Sequence, residues 1–344
     1  MISSPKADRN ELTLLDVRGL KKHFPVRSGF LKREVGAVRA VDGVSFRIAN
    51  GQTMGLVGES GCGKTTVARC ILRAVDPTSG EVFFRMRNGD TVDIVAMPAR
   101  QLRSIRRDVQ MVFQNPFTSL NPRMTVMDIV GEPLLVNGMR DRKARADRVA
   151  ELLRLVGLRT EYMRRFPHAF SGGQRQRIGI ARALALHPRL LVADEPVSAL
   201  DVSVQAQILN LTRELQERLR LTVLFVSHDL SVIRHVCDHV AVMYLGRIVE
   251  YAATDELFRA PRHPYTAALL SAVPDPDPRS RGRIVVTEGE VPSPADPPPG
   301  CHFHPRCPHA VARCRTETPM PWPPDPGRLV ACHRAGDLKL EGIE

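Results

Sequence analysis

The stretch Gly58-Glu59-Ser60-Gly61-Cys62-Gly63-Lys64-Thr65-Thr66 fits the pattern G-x-x-x-x-G-K-[ST] and decides how the rest of the chain is interpreted. The apolar run before it ends at Val57 and predicts a buried strand, and the residues after it have the period of a helix with one buried face. This order of strand, glycine-rich loop and helix is what a phosphate-binding loop requires. A glycine-rich turn that merely precedes a helix is the alternative.

The residue types in this stretch suit the binding of nucleotide phosphates. Glycines let successive backbone N–H groups point at anionic oxygens, and the start of the helix adds partial positive charge. Lys64 would reach the β- and γ-phosphates, and the Thr65 hydroxyl would ligate Mg²⁺. The residues predicted to bind the nucleotide are Gly58, Glu59, Ser60, Gly61, Cys62, Gly63, Lys64, Thr65 and Thr66.

Length and composition are those of a globular protein with one large and one smaller domain. The 344 residues are 43% hydrophobic and 25% charged, which are ordinary values. No apolar run reaches the roughly 18 residues that span a bilayer, and residues 1–10 lack the apolar core of a secretory signal. We therefore expect a cytosolic protein that meets a membrane only through a partner.

The formal charge of +12 raises the question of nucleic-acid binding. The basic residues are scattered and are not interleaved with aromatic residues. An arginine-rich surface, facing solvent or anionic lipid headgroups, is the favoured interpretation, and no nucleic-acid partner is expected.

Three further predicted strands end at polar residues, and these polar residues are Gln114, Asp194 with Glu195, and Ser227 with His228. In open α/β sheets, ligands sit beyond the carboxyl ends of the strands. The sequence therefore predicts that these side chains meet the loop that starts at Gly58 at one edge of a parallel sheet.

Other segments predict additions to this α/β core. Alternating residues at 12–26, 40–48, 80–84 and 92–96 predict antiparallel β structure, with residues 27–39 as an insertion. Mainly helical sequence runs from about 122 to 166, where Val149, Leu152, Leu153 and Val156 form one apolar face. Ser171 and Gln174 have the spacing of a capping box ahead of another helix.

The composition changes beyond about residue 256, because 17 of the 27 prolines lie between Pro261 and Pro326. This argues against a regular parallel sheet there. We predict a linker and a small loop-rich module, in which residues 292–299 form a stiff extended segment.

Taken together, these motifs resemble those of the ATP-binding subunit of an ABC transporter, over roughly residues 12 to 340. Six motifs occur in the order of that family: Walker A (58–66), the Q-loop (Gln114), the signature (Ser171, Gly172, Gly173, Gln174, Arg175, Gln176), Walker B with its glutamate (190–195), the D-loop (198–201) and the H-loop (His228). The implied fold is α/β, a P-loop NTPase core with an antiparallel β subdomain, a helical signature subdomain and a small Cys- and Pro-rich C-terminal module. The implied domains are residues 1–255, with the helical subdomain at about 115–180, and residues 256–344.

Three stretches, at 114–122, 263–266 and 301–308, narrow the resemblance to the dipeptide/oligopeptide importer ATPases. Nickel, opine and glutathione importers share much of this pattern. The resemblance implies a second ATPase subunit (self or a paired homologue), two membrane-spanning permease subunits and, indirectly, an extracytoplasmic peptide-binding protein. It also implies a place at the cytoplasmic face of the cell membrane.

The resemblance implies a role for each motif residue. Asp194 would hold Mg²⁺ together with Thr65 and Gln114. Glu195 would polarise the attacking water, and His228 would contact the γ-phosphate alongside Lys64. Across a subunit boundary, the nucleotide of the opposite subunit would meet Ser171, Gly172, Gly173, Gln174 and Asp201. Adenine would stack on an aromatic residue, for which Phe24 is the first candidate and Phe30 the second.

Four of the seven cysteines, Cys301, Cys307, Cys314 and Cys332, lie in the last 44 residues, with five, six and seventeen residues between them. Neither zinc-ribbon nor ferredoxin spacing is present, although neighbouring histidines could compete as ligands. Four soft thiolates in a Pro-rich segment suggest a metal site. The resemblance implies a [4Fe–4S] cluster; a zinc ion and free reduced cysteines are the alternatives.

Two rival functions are weighed against transport. A chromosome- or repair-type ABC ATPase would carry a long coiled coil or a large insertion between Walker A and the signature, and the 107 residues from Lys64 to Ser171 leave no room for either. A non-hydrolysing regulatory subunit would not need both Glu195 and His228.

Overall fold

The computed structural model describes residues 13–28, 33–273, 289–320 and 327–343. Its largest sheet contains the strands β3 (Thr53–Val57), β6 (Val109–Val112), β7 (Leu190–Asp194), β8 (Thr222–Ser227), β9 (His239–Tyr244), β10 (Arg247–Ala253) and β11 (Leu329–Val330). The strand order is β11-β10-β9-β3-β8-β7-β6. The strands from β9 to β6 pair in parallel, while β10 and β11 are added antiparallel. The carboxyl ends of β3, β6, β7 and β8 therefore face one edge of the sheet.

The central strands are buried on both faces because alternate side chains enter two different cores. Leu190 and Val192 of β7 pack into one apolar core, and Leu191 and Ala193 pack into the other. All five residues of β3 and all six of β8 are buried. This double cover explains why these strands appear in the sequence as continuous apolar runs.

A second sheet is antiparallel and consists of β1 (Thr13–Ser28), β2 (Arg33–Ala49), β4 (Ser79–Arg85) and β5 (Thr91–Asp93), in the order β2-β1-β4-β5. The prediction of an insertion at residues 27–39 is wrong, because β1 and β2 remain paired out to Ser28 and Arg33. Backbone hydrogen bonds form the ladder whatever the side chains are, so a loop-like composition did not prevent pairing. The strand predicted at 92–96 ends earlier, at Asp93.

The helices are α1 (Lys64–Ile71), α2 (Leu102–Asp108), α3 (Pro116–Ser119), α4 (Val126–Val136), α5 (Arg142–Leu155), α6 (Gly172–Leu184), α7 (Val202–Leu219), α8 (Leu230–Val236), α9 (Thr254–Arg259), α10 (Pro264–Ser271) and α11 (Ala312–Thr316). In α5, Val149, Leu152 and Leu153 are fully buried, which confirms the predicted apolar face. The capping box of Ser171 and Gln174 is also confirmed at the start of α6. Within the described ranges, no helix is long and apolar enough to cross a membrane.

The C-terminal segment shares its core with the main sheet. Phe258, Tyr265, Leu270 and Phe303 belong to the same buried cluster as β8 and β9, and β11 pairs with β10. The segment predicted to be loop-rich from about residue 256 contains α10 and most of α9, and within residues 289–320 the helical elements described are a 3₁₀ turn (His304–Arg306) and α11. Its apolar side chains nonetheless pack against the nucleotide-binding body.

Candidate functional site

The loop between β3 and α1 is shaped by three glycines. The φ angles of Gly58, Gly61 and Gly63 are +150°, +80° and +107°, values that side chains with a Cβ rarely adopt. A Cβ on Gly63 would also lie 2.0 Å from the carbonyl oxygen of Ala40. We call residues 58–66 the phosphate loop; only glycine can occupy its closest approach to β2.

The Lys64 side chain is folded back under this loop. Lys64 is 4% exposed, and its ammonium group donates to the carbonyl oxygens of Gly58 at 2.7 Å and Glu59 at 2.9 Å. A cation beside the N-terminus of a helix makes this a favourable place for an anion. The arrangement is that of a loop with a positive charge already in place.

Asp194, at the end of β7, lies beside the first turn of α1. Its carboxylate accepts a hydrogen bond of 2.9 Å from the Thr65 hydroxyl, and the residue is 2% exposed. Burial raises the pKa of Asp194 above its ordinary value; the Thr65 hydrogen bond lowers it in part, and the charge of Glu195 raises it further. A buried carboxylate beside a hydroxyl is a set of hard oxygen donors that suits Mg²⁺.

Two predicted catalytic side chains converge on an oxygen atom of a third. Oε2 of Glu195 accepts a hydrogen bond from Gln114 Nε2 at 2.9 Å and lies 3.3 Å from His228 Nδ1. The Glu195 backbone has a φ of +44°, a strained value for a residue with a Cβ. Its N–H donates to the carbonyl oxygen of Val226 at 2.9 Å, which ties this conformation to β8.

These groups surround a cleft of about 980 Å³. Its described lining consists of Ala40, Gly58, Glu59, Ser60, Gly61, Gly63, Lys64, Thr65, Thr66, Gln114, Asn115, Glu195, Ser198, Ala199, His228 and Leu269. The volume is large enough for a nucleotide. The structure thus brings together the phosphate loop, Gln114, Glu195 and His228, as the positions of the strand ends predicted.

Phe24 is absent from the described lining of the cleft. It lies on β1 opposite Val38 of β2, is 39% exposed, and has the Lys22 ammonium 4.9 Å from its ring centroid. Phe30 lies outside the described residues. The adenine-stacking assignment to Phe24 therefore finds no support in the geometry of a single chain.

The signature residues do not line the cleft that contains Lys64. Gly172 and Gly173 pack against Leu200 and Val204, because a Cβ on Gly173 would lie 2.4 Å from the Val204 side chain. Ser171 is exposed at the start of α6, and Asp201 is exposed at the start of α7, where its side chain makes no capping hydrogen bond. Neither residue is part of the described lining of the cleft.

No pattern in the sequence predicted that the C-terminal segment reaches the phosphate loop. The Glu59 backbone N–H donates to the Tyr265 hydroxyl oxygen at 2.9 Å, and Arg306 contacts both Glu59 carboxylate oxygens at 3.1 and 3.2 Å. Leu269 of α10 also lines the cleft. Residues 263–266 resemble a stretch of the dipeptide/oligopeptide importer ATPases, but no local sequence pattern connects them to residue 59.

The four late cysteines all line one small cavity of about 10 Å³, which we call the cysteine cavity. Burial raises the pKa of Cys301 and of Cys307 to about 11. All seven cysteines are free thiols. This volume is at the lower limit for one water molecule, about 10–15 Å³. Across the described ranges, no group of three or more His, Cys, Asp or Glu side chains is arranged to hold a metal ion. The iron–sulfur expectation is therefore not supported by this arrangement.

Two family matches cover most of the site. The ABC transporter family matches residues 41–198, and the C-terminal region of the oligopeptide/dipeptide transporter family matches residues 249–314. The chain belongs to the ATP-binding subunits of ABC transporters. Within them, it belongs to the oligopeptide/dipeptide transporter family.

Full-length relatives agree with this assignment. The chain is 52% identical over 329 residues to the oligopeptide transport ATP-binding protein AppF of Bacillus subtilis, covering 94% of this chain and 98% of that protein. It is 50% identical over 325 residues to the di/tripeptide transport ATP-binding protein DppF of Pseudomonas aeruginosa, with the same coverage. A solved dimer of the ATP-binding cassette MJ0796, in a post-hydrolysis state bound to ADP and Pi, superposes with a TM-score of 0.61 at 29% identity, covering 70% of this chain and 99% of that one.

Proposed function

We propose that this chain binds and hydrolyses ATP to power the import of peptides through an ABC transporter. The observation that carries the proposal is the convergence of Gln114 and His228 on Glu195 at the edge of a cleft lined by the phosphate loop. The peptide cargo is supported by the names of the relatives and by the C-terminal family match.

The binding roles follow from charge and position. Lys64 and the backbone N–H groups of the phosphate loop bind the phosphates. Thr65 and Asp194, with Gln114, would hold Mg²⁺, which would supply positive charge against that of the phosphates. The raised pKa of Asp194 supports this role, because a nearby cation would stabilise the carboxylate that burial disfavours.

The hydrolytic role falls to Glu195. Its carboxylate accepts the hydrogen bond of Gln114, and it is positioned to accept one from a water molecule that attacks the γ-phosphate. His228 Nδ1 lies 3.3 Å from Oε2 of Glu195, and the His228 side chain would contact the γ-phosphate. Because phosphoryl transfer depends mainly on positioning and electrostatics, the geometry of these side chains supplies most of the catalysis.

A second ATPase subunit completes each site. Ser171, Gly172, Gly173, Gln174 and Asp201 lie away from the cleft of their own chain, and the N-terminus of α6 carries partial positive charge. We propose that they contact the nucleotide of the opposite subunit, which is a copy of this chain or a homologue. The solved dimeric relative is consistent with such a pair.

The remaining expectations are also proposals. Residues 1–255 form the nucleotide-binding domain and residues 256–344 the importer-type C-terminal module. The assembly includes two membrane-spanning permease subunits, which hold this subunit at the cytoplasmic face of the membrane. An extracytoplasmic binding protein acts indirectly.

The test is Glu195→Gln, which keeps the shape of the side chain and removes its charge. Losing one preorganised electrostatic group costs about 3–4 kcal/mol, or roughly 10²–10³ in rate. We expect turnover in the assembled transporter to fall by this factor while MgATP binding persists. Glu214→Gln, an exposed acid-to-amide change on α7, is the matched control and should hydrolyse ATP like the wild type. Near wild-type turnover in Glu195→Gln would remove the assigned role.

An iron–sulfur cluster stays a separate proposal for the cysteine cavity. It is supported by the gathering of all four cysteines at one site, and opposed by the small volume and the lack of a ligand arrangement. Iron analysis and visible absorption of anaerobically purified protein decide the matter: a colourless, iron-free preparation removes the cluster.

A further inference from the structure

Residue 59 of the phosphate loop is held by two residues that come 206 and 247 positions later in the chain. Tyr265 accepts the hydrogen bond of the Glu59 backbone, and Arg306 pairs with the Glu59 carboxylate through both oxygens. The Arg306 side chain is 9% exposed and the Glu59 side chain 28%. Both contacts come from one guanidinium nitrogen, Nη1. An ion pair with this burial is screened less than a surface ion pair.

Arg306 is itself fixed by its surroundings. It ends the 3₁₀ turn that lies between Cys301 and Cys307, and the His304 N–H donates to the Cys301 carbonyl oxygen at 3.0 Å. The Cys301 N–H donates to the Cys314 carbonyl oxygen at 2.9 Å. The turn is therefore anchored to segments that line the cysteine cavity.

A packed aromatic group fills the space between this turn and the phosphate loop. The ring centroid of Tyr265 lies 4.6 Å from that of Tyr244 and 5.4 Å from that of Phe303, and all three residues are no more than 1% exposed. Burial lowers the pKa of Arg306, but the neighbouring Tyr244 and the hydrogen-bonded Glu59 carboxylate outweigh this and raise it. Close-packed groups of this kind are hardly compressible, so they leave Arg306 little room to move. The position of Arg306 is therefore set by the packing of the C-terminal segment.

Holding residue 59 also holds Lys64. The Lys64 ammonium donates to the carbonyl oxygens of Gly58 and Glu59. The orientation of these two carbonyl groups therefore determines where the positive charge of Lys64 lies. A loop fixed in its binding conformation loses less conformational entropy when a ligand arrives. Neither Tyr265 nor Arg306 is among the described residues that line the cleft.

We propose that Arg306 and Tyr265 are positioning residues for the phosphate loop, so that the affinity for MgATP depends on the C-terminal segment through residue 59. This inference rests on the proposed nucleotide-binding function. It assigns the C-terminal segment a part in every ATP-binding event.

The experiment is a double-mutant cycle on the full-length chain, with MgATP affinity measured by equilibrium dialysis. We expect Arg306→Met and Glu59→Gln each to raise the Kd about tenfold, and the double variant to be no weaker than either single one. Tyr265→Phe, which removes only the hydroxyl, should raise the Kd about threefold, as the loss of one hydrogen bond predicts. Arg313→Met is the matched control, because Arg313 forms an exposed pair with Glu317 in the same segment.

Further measurements separate positioning from general stability and from charge. In the assembled transporter, Arg306→Met should raise the KM for ATP and leave kcat at saturating ATP unchanged, and Arg306→Lys should restore part of the affinity. If the pair acted only through charge, Glu59→Gln would tighten MgATP binding, and that result would overturn the inference. So would a Kd for Arg306→Met within twofold of the Arg313→Met value.

Two remaining outcomes are also decisive. If Arg306→Met does not fold, Tyr265→Phe and Glu59→Gln carry the test, and wild-type affinity in both would overturn the inference. If the wild-type chain takes up no MgATP, the proposed function fails instead.

Discussion

Glu250, on β10, allows the sharpest prediction about stability. The residue is 0% exposed, and its carboxylate accepts hydrogen bonds from Arg328 at 2.8 Å and from the backbone N–H groups of Arg262 and His263 at 2.9 Å each. Arg328 is also buried, with its side chain 6% exposed. The Glu250 carboxylate thus links β10 to the start of α10 and to Arg328, the residue just before β11.

Glu250→Gln should lower the free energy of unfolding by about 4 kcal/mol. Removing one member of a buried ion pair costs about 3–5 kcal/mol, because the other charge is left uncompensated. The amide NH₂ would also face a donor, and a buried unpaired donor costs about 1–3 kcal/mol. The two costs describe the same lost carboxylate, so they are not added.

The assay is urea unfolding followed by far-UV circular dichroism, with limited proteolysis to detect local opening of the C-terminal segment. The matched control is Glu217→Gln, whose pair with Arg213 has side chains 64% and 66% exposed and should contribute less than about 1 kcal/mol. A Glu250→Gln variant as stable and as protease-resistant as the control would refute the reasoning.

Two further predictions concern a glycine and a histidine. Gly63→Ala should destabilise the chain by about 2 kcal/mol or more beyond Gly61→Ala, since both have positive φ but a Cβ meets the Ala40 carbonyl oxygen only at residue 63; equal urea midpoints would contradict this. Burial lowers the pKa of His263 from 6.5 to about 3. Above pH 6.5 the side chain is neutral in both the folded and the unfolded chain. As the pH falls from 6.5 towards 3, only the unfolded chain takes up the proton, so the free energy of unfolding decreases. Between pH 7 and 5 this loss is about 2 kcal/mol, and His263→Asn should flatten the pH dependence by that amount, whereas His235→Asn, an exposed change, should not.

Much of the nucleotide-binding core was predictable because two signals coincide there. β3, β7 and β8 are continuous apolar runs, and each ends at a chemically distinctive residue. Strands β9 and β10 carry a similar apolar pattern but end without a motif, and an apolar run alone does not distinguish a strand from a buried helix. They were accordingly not predicted.

The contacts of the candidate site were predictable only where neighbouring strands impose them. The meeting of Gln114, Glu195 and His228 follows from parallel strand ends at one sheet edge. The pair of Glu59 and Arg306 depends instead on how the C-terminal segment packs, which no local periodicity encodes. The wrong prediction at residues 27–39 has a similar cause. The backbone hydrogen bonds between β1 and β2 extend the hairpin, and the side-chain pattern of these residues does not reveal that pairing.

The aromatic group of Tyr244, Tyr265 and Phe303 has a consequence for protein engineers and for evolution. A chimaera that joins the first 255 residues of one relative to the tail of another would keep this packing only if the rings and the partner of residue 59 match between the two parents. Successful exchange would require these positions to travel as a set. The tail is thus a structural counterpart of the phosphate loop, and the two would have to be exchanged together.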